Sequence, residues 1–291
     1  MLSSKILLLL LLVTSSARAN YLSLHFYPAP TAVNWSSPSS LARSTVFNSI
    51  VAISHSIGHA TVEVSCDNGE HFLSGATSAD DKEQNTLLFK DKIGLGILFH
   101  DFHGRLQSDR EITSELTERY KTGHLGVVTY LISTSTCQRL SNYYHEYVKL
   151  GYGQHYGLSN RPRYREGAGC TAFAKSFLDI AGLNGGFEES AWARTINVPL
   201  IYIGRPWTEN SVSLSSLVFP KSRTHWSSDA DPHMTVMFWD PDRMYKWVRS
   251  TWSYLKKHPQ PGSTTALREE AREIILDRVN TPTPTETFWL D

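Results

Sequence analysis

Apolar and polar positions switch between two rhythms along this chain. From His59 to Cys66 (HATVEVSC) they partly alternate and are rich in β-branched residues, the pattern of a half-buried strand. Asp67-Asn68-Gly69-Glu70 follows as a hairpin turn signal, and His71 to Thr77 should return antiparallel. Thr45 to Ser54, Gly94 to Phe99, Gly123 to Ile132, Ile196 to Ile203 and Thr235 to Trp239 also read as strands. The second rhythm is helical. Leu140, Tyr143, Tyr144, Tyr147 and Val148 share one face of a helix over Cys137 to Leu150. Phe173, Ala174, Phe177, Leu178 and Ala181 do the same from Cys170, with Gly182 as the stop. Pro241 to Leu255 reads as a helix, and Leu267, Ala271, Ile274, Ile275 and Val279 suggest another over Thr264 to Val279. The charged stretch Ser108 to Tyr120 gives no clear assignment. The expected class is α+β, with no internal repeat.

The start of the chain changes the picture. Lys5 precedes an apolar run from Ile6 to Val13, and Ala17-Arg18-Ala19 is a small-x-small cleavage pattern. The run is shorter than the roughly 20 residues a membrane span needs. Residues 1–19 therefore read as a signal peptide cleaved near Ala19, residues 20–43 as an extended lead-in, 44–255 as the domain and 256–291 as a helix and tail. The expected location is secreted or periplasmic, with no transmembrane anchor. Asn34-Trp35-Ser36 is a glycosylation sequon, relevant only in a eukaryotic source. The full chain carries 28 basic and 28 acidic residues, and losing Lys5 and Arg18 leaves a slight acidic excess. No basic field exists for nucleic acid. A monomer is expected.

Three cysteines cannot all pair internally in an oxidising compartment. Cys66 ends one expected strand and Cys137 follows another, so the two can bridge if those strands are neighbours. Cys170 is then the free thiol, at the start of a helix and after a Gly-rich loop. A helix N-terminus stabilises an anion and so favours the thiolate. A nearby imidazole would complete an activated nucleophile, and the base can lie anywhere in sequence. The competing possibility is a small, inert, buried residue.

Gly169-Cys170-Thr171-Ala172-Phe173, with its helix closing at Ala181-Gly182-Leu183, resembles the nucleophile helix of NlpC-type papain-like cysteine hydrolases. Ile57-Gly58-His59-Ala60-Thr61-Val62 resembles their His strand. The His segment comes first here, an order similar to the circularly permuted branch that includes lecithin retinol acyltransferase-like proteins. About fifteen residues around Cys170 and eight around His59 carry the resemblance. It implies a permuted papain-like fold, an antiparallel sheet packed on the Cys helix, with Cys170 as nucleophile and His59 as general base.

The third member that orients the His is open. His71 lies twelve residues on. A turn centred on Asn68-Gly69 sets His59 opposite Ser78 and His71 opposite Cys66, which puts His71 roughly 20 Å along the strand from His59. Thr77, Ser78 and His71 stand as candidates. Asn160, Arg161, Arg163, Tyr164 and Glu166, just before the nucleophile, are candidate substrate contacts. His124, also preceded by Gly123 in its neighbourhood, is the second choice of base. His55 and His59, or His100 and His103, match no specific metal pattern, and no metal or other cofactor is expected. There is no Gly-x-Ser-x-Gly elbow and no phosphate loop. The expected function is an exported cysteine hydrolase acting on a peptide or peptidoglycan amide, or on an acyl bond. The alternative is a non-catalytic exported binding or envelope protein that keeps the fold.

Overall fold

The computed structural model describes residues 19–51, 55–184 and 187–291; the leader assignment lies outside them up to residue 18. In chain order the elements are β1 (Tyr21–Tyr27), α1 (Pro38–Val51), β2 (His59–Ser65), β3 (His71–Ser74), β4 (Ala76–Ser78), α2 (Asp81–Asn85), β5 (Phe102–Leu106), α3 (Asp109–Thr122), β6 (Gly126–Leu131), α4 (Thr134–Lys149), β7 (His155–Tyr156), α5 (Cys170–Ala181), α6 (Phe187–Trp192), β8 (Ala193–Pro199), α7 (Leu214–Val218), β9 (His233–Trp239), α8 (Pro241–Lys257), β10 (Ser263–Arg268) and β11 (Ala271–Asp277). The chain is thus α+β. Among the described residues no helix is long and apolar enough to cross a membrane.

Six strands form the main sheet in the order β10-β11-β6-β1-β2-β3, antiparallel except for the β11–β6 pair. On one face Leu22, Leu24, Phe26, Ala60, Val62, Val64 and Val128 meet Tyr143 and Tyr147 of α4, Phe173 and Phe177 of α5, and Met244 and Val248 of α8. On the other face α3 packs Ile112, Leu116 and Tyr120 against Tyr27, Leu73 and Val127. A ribbon of β8 and β9 builds a second apolar cluster with Leu41 and Ala42 of α1 and Leu217 of α7.

Several expectations change here. The 20–43 lead-in holds a central strand: Leu22, Leu24 and Phe26 alternate with Ser23 and His25, and all five are buried. Residues 28–37, which contain Pro28 and Pro30, remain irregular, and Pro38 begins α1. Thr45 to Ser54 is helical as far as Val51, and residues 52–54 lie outside the described part. Its β-branched residues suggest a strand, but Leu41, Ala42 and Asn48 bury one side of a helix. Gly94 to Phe99 is a 3-10 turn over Leu95–Phe99, since Gly94 sits at φ 56° and breaks extended backbone. Ser108 to Tyr120 is α3. Its start is a reciprocal cap in which Ser108 and Glu111 satisfy each other's backbone N–H.

The Thr264–Val279 helix is instead the β10–β11 hairpin. Strand β11 is covered on both faces, so its Ile274, Ile275 and Leu276 run consecutively and fit helical spacing by coincidence. Residues 263–277 therefore add two strands to the sheet rather than forming an appended helix, and α8 runs on to Lys257.

The β2–β3 hairpin also differs by one residue. Three residues bridge Cys66 and Glu70, and Ser65 pairs with His71. Gly75 then ends β3, and β4 leaves the sheet to pair with β5. Cys66 and Cys137 form a disulfide, with Cα atoms 5.8 Å apart, tying the end of β2 to α4.

Candidate functional site

Cys170 is the free cysteine and is 7 % exposed. Gly169 precedes it as the extended N-cap residue of a 12-residue helix buried nearly throughout. Only Gly fits there, because a Cβ would come within 2.9 Å of the Gly157 carbonyl. Thr171 fixes the helix start by donating from its hydroxyl to the Trp239 carbonyl at 2.7 Å. Burial pushes the thiol up from its ordinary range. The Ala60 backbone N–H, the Tyr156 hydroxyl and the N–H groups of Thr171 and Cys170 oppose that shift, all favouring sulfur as an anion. Tyr156 is held well above its usual value, first by burial and then by the thiol, so its phenol stays protonated.

His59 begins β2 beside that Ala60 N–H, after Gly58 at φ 88°. Alternation along the strand turns Ala60 toward α5 and His59 toward the other face. The imidazole lies 5.5 Å from the Tyr27 ring and stacks on His55 at 3.9 Å. Its Nε2 is 2.6 Å from Oε1 of Gln107. Burial lowers His59 well below its ordinary value, the neighbouring His55 adds to this, and the Gln107 bond opposes it. The ring is neutral near pH 7. No hydrogen bond joins it to the thiol, whose sulfur lies one peptide unit away at Ala60.

Gln107 is the polar partner of His59, rather than His71, Thr77 or Ser78. His71 bonds Glu63 at 3.2 Å on the exposed edge. Thr77 and Ser78 pair with Arg105 and Gly104 in the smaller sheet. Gln107 reaches His59 because Gly75 parts β3 from β2: the Gln107 N–H donates to the Gly75 carbonyl, and its Oε1 fills the space a Cβ would take. His124 is exposed in the loop before β6.

The candidate substrate contacts are engaged in holding their own loop. Asn160 donates to Asp101 at 2.8 Å and to the Glu166 carbonyl at 2.7 Å. Arg161 pairs with Glu166 and lies over the Tyr164 ring. Arg163 donates to the Phe288 and Thr287 carbonyls. The loop is closed at its base by the Ala168 N–H on the His155 carbonyl, so Tyr156 and Cys170 stand at its two ends. Among the described residues no group of three His, Cys, Asp or Glu side chains could hold a metal ion. His100 and His103 instead share the Glu83 carboxylate, and His55 bonds Glu115.

No family model matches the chain, and no curated protein or solved structure matches it.

Proposed function

We propose that this chain is an exported cysteine hydrolase of the permuted papain-like kind, with Cys170 as nucleophile, His59 as base and Gln107 as the residue that orients the base. The observation that carries the reading is the convergence at one end of β2. The sole free thiol sits at a helix start against the N–H next to His59, and Gln107 holds Nε2 of that imidazole. Nδ1 is then the nitrogen left for the thiol proton. The disulfide is the kind kept in an oxidising compartment, which supports export.

In the reaction, His59 takes the Cys170 proton at Nδ1 as sulfur attacks the substrate carbonyl carbon. The N–H groups at the helix start receive the developing oxyanion. His59 returns the proton to the leaving amine or alcohol, the carbon–heteroatom bond breaks, and a thioester remains. Water, deprotonated by His59, then releases the acid and restores the thiol. With the His59 ring held by Gln107, Cys170 must move to close the gap between them, and the loop after Tyr156 must admit the substrate; catalytic hydrogen bonds often tighten only in the complex. The substrate class is an amide in a peptide or peptidoglycan stem, or an acyl ester.

The test is labelling of native protein with iodoacetamide from pH 5 to 9, beside hydrolysis of peptide anilides and activated esters. Cys170 should label, Cys170→Ala should abolish turnover, and His59→Ala should lower it by about 10²–10⁴-fold. Protonating His59 removes the base, and its lowered value puts the acid limb of the rate profile below the ordinary histidine range. The second reading, a non-catalytic binding protein, is favoured by the buried thiol and the missing thiol–imidazole bond. It takes over if Cys170 labels only after denaturation and no substrate turns over.

A further inference from the structure

We infer that residues 286–291 are a strap that positions the loop between Tyr156 and Cys170, with Arg163 as its clasp; this rests on Cys170 being the reactive thiol. The strap runs along the outside of α4 and α5. Thr283 is bonded to Ser135 and Thr136 at the start of α4, and Pro284 packs on Gly182 just past the end of α5. The Glu286 carbonyl takes a hydrogen bond from Arg139 at 2.6 Å, and Arg139 lies over the Phe288 ring. Phe288 and Trp289 cover Tyr143 with ring centres at 5.7 and 5.4 Å. Trp289 also meets Tyr152 at 4.9 Å and donates from its indole N–H to Glu146. The segment thus travels from the C-terminal end of the nucleophile helix back to its N-terminal end.

At that end it meets Arg163 four ways, one of them an ion pair with the exposed Glu286 carboxylate at 3.4 Å. The Arg163 guanidinium donates to the Phe288 carbonyl at 3.0 Å and to the Thr287 carbonyl at 3.0 Å, and the Leu290 N–H donates to the Arg163 carbonyl at 2.7 Å. Arg165 adds an ion pair with Asp291. The Arg163 side chain is 12 % exposed, an unusual state for an arginine within a surface loop. Pro162 beside it is buried.

The consequence follows from how the loop is closed. Its two ends hold the thiol and the phenol that touches it. The bonds of Asn160, Arg161 and Glu166 tie the loop to itself and to Asp101. Arg163 makes most of the bonds between the loop and the strap, with the exposed Arg165–Asp291 ion pair beside it. Releasing the clasp lets the loop open more often, so the Tyr156 cover leaves the thiol more often. Arg163 is a positioning residue, acting through the loop and never on the substrate.

The experiment uses the full chain with Arg163→Ala, Arg163→Lys and Trp289→Ala. Two quantities are read: amide hydrogen exchange over 157–169 and the iodoacetamide rate at Cys170 across pH. Arg163→Ala and Trp289→Ala should each speed loop exchange and thiol labelling about tenfold or more, with the labelling pH profile moved toward that of an ordinary thiol. Arg163→Lys, which keeps the charge and loses the fork, should fall between. Arg268→Ala, on the far face of the sheet, is the control for general loosening. An unchanged labelling rate in both strap variants overturns the proposal, as does equal acceleration in the control. Failure of the hydrolase reading shows separately, as wild-type protein that turns over no amide or ester.

Discussion

Toward α4, α5 and α8 the main sheet presents Leu22, Leu24, Phe26, Ala60, Val62, Val64, Val128 and Ile274. Toward α3 the same strands present Ser23, His25, Thr61, Glu63, Thr129 and Glu273, all but Glu63 buried. The first face is held by area and shape. Aromatic rings from two helices interlock on it, and Cys170 reaches the end of β2 from this side. The second face adds a chain of polar bonds to the smaller apolar cluster under α3. Ser23 joins Thr129 at 2.7 Å, Thr129 donates to Glu273 at 2.6 Å, and Arg268 donates to Glu273 and Tyr120. Tyr21 and His71 converge on Glu63. His59 belongs to this second face. The candidate site is where the two constructions meet, at the gap that Gly75 opens beside β2. A thiol from the apolar side and an imidazole from the polar side reach one backbone position, which explains why each is buried in a different environment.

If the first face depends on interlocking rings, truncating one should give the largest loss. Phe177 is fully buried, with ring centres of Tyr143 and Phe173 both at 5.2 Å and Phe72 at 5.8 Å. Phe177→Ala should cost about 3–5 kcal/mol, read from chemical denaturation. A loss near 1 kcal/mol would mean that the aromatic cluster collapses into the space, and that this face is not the rigid half.

The second face should reveal itself through pH. His25 is fully buried, lies 3.7 Å from Glu63, and is lowered to about 4 from 6.5, mainly by burial. The unfolded chain binds a proton near 6.5, while the native chain resists until about 4. The unfolded state therefore holds more protons in that window, and stability falls as pH drops through it. No stability is lost above about 6.5, and the loss amounts to about 3 kcal/mol once pH has fallen to 4. Glu63 is also lowered, by His25, Tyr21 and His71, but its share is lost only below the ordinary glutamate range. Urea unfolding of wild type and His25→Gln from pH 7 to pH 4.5 should thus give a steeper decline for wild type. Parallel curves would remove His25 from the account of this face.

The two faces were unequally legible in sequence. The α4, α5 and α8 helices announce themselves because one apolar stripe faces one sheet, whereas the disulfide was legible only as a possible pair: β1 lies between β2 and β6, and Cys137 reaches Cys66 from the first turn of α4. Strand β1 hides because Ser23 and His25 are polar yet buried under α3, and the proline-rich stretch after Tyr27 makes the region look irregular. Strand β11 hides because a strand covered on both sides loses its alternation. At the site, Cys170 and His59 stand out from their local setting, glycine before each. Gln107 has no such setting. It lies 48 residues from His59 in sequence and arrives only through the break at Gly75, a tertiary event with no local signature.

The smallest effect separates the two faces most cleanly. Helix α3, over the polar face, starts with a reciprocal cap: the Ser108 hydroxyl accepts from the Glu111 N–H, and Glu111 returns a bond to the Ser108 N–H at 2.8 Å. Arg105 braces the same carboxylate, holding Glu111 down to about 2. Ser108→Ala should cost about 1 kcal/mol. Because Gln107 is the residue before this cap, loosening it should also loosen the hold on His59, without touching the packing around Cys170. Hydrogen exchange should therefore rise in the first turn of α3 and at Gln107 while α5 stays protected. Exchange rising equally in α5 would mean that the two faces open as one cooperative unit, and that their different construction has no counterpart in how the molecule moves.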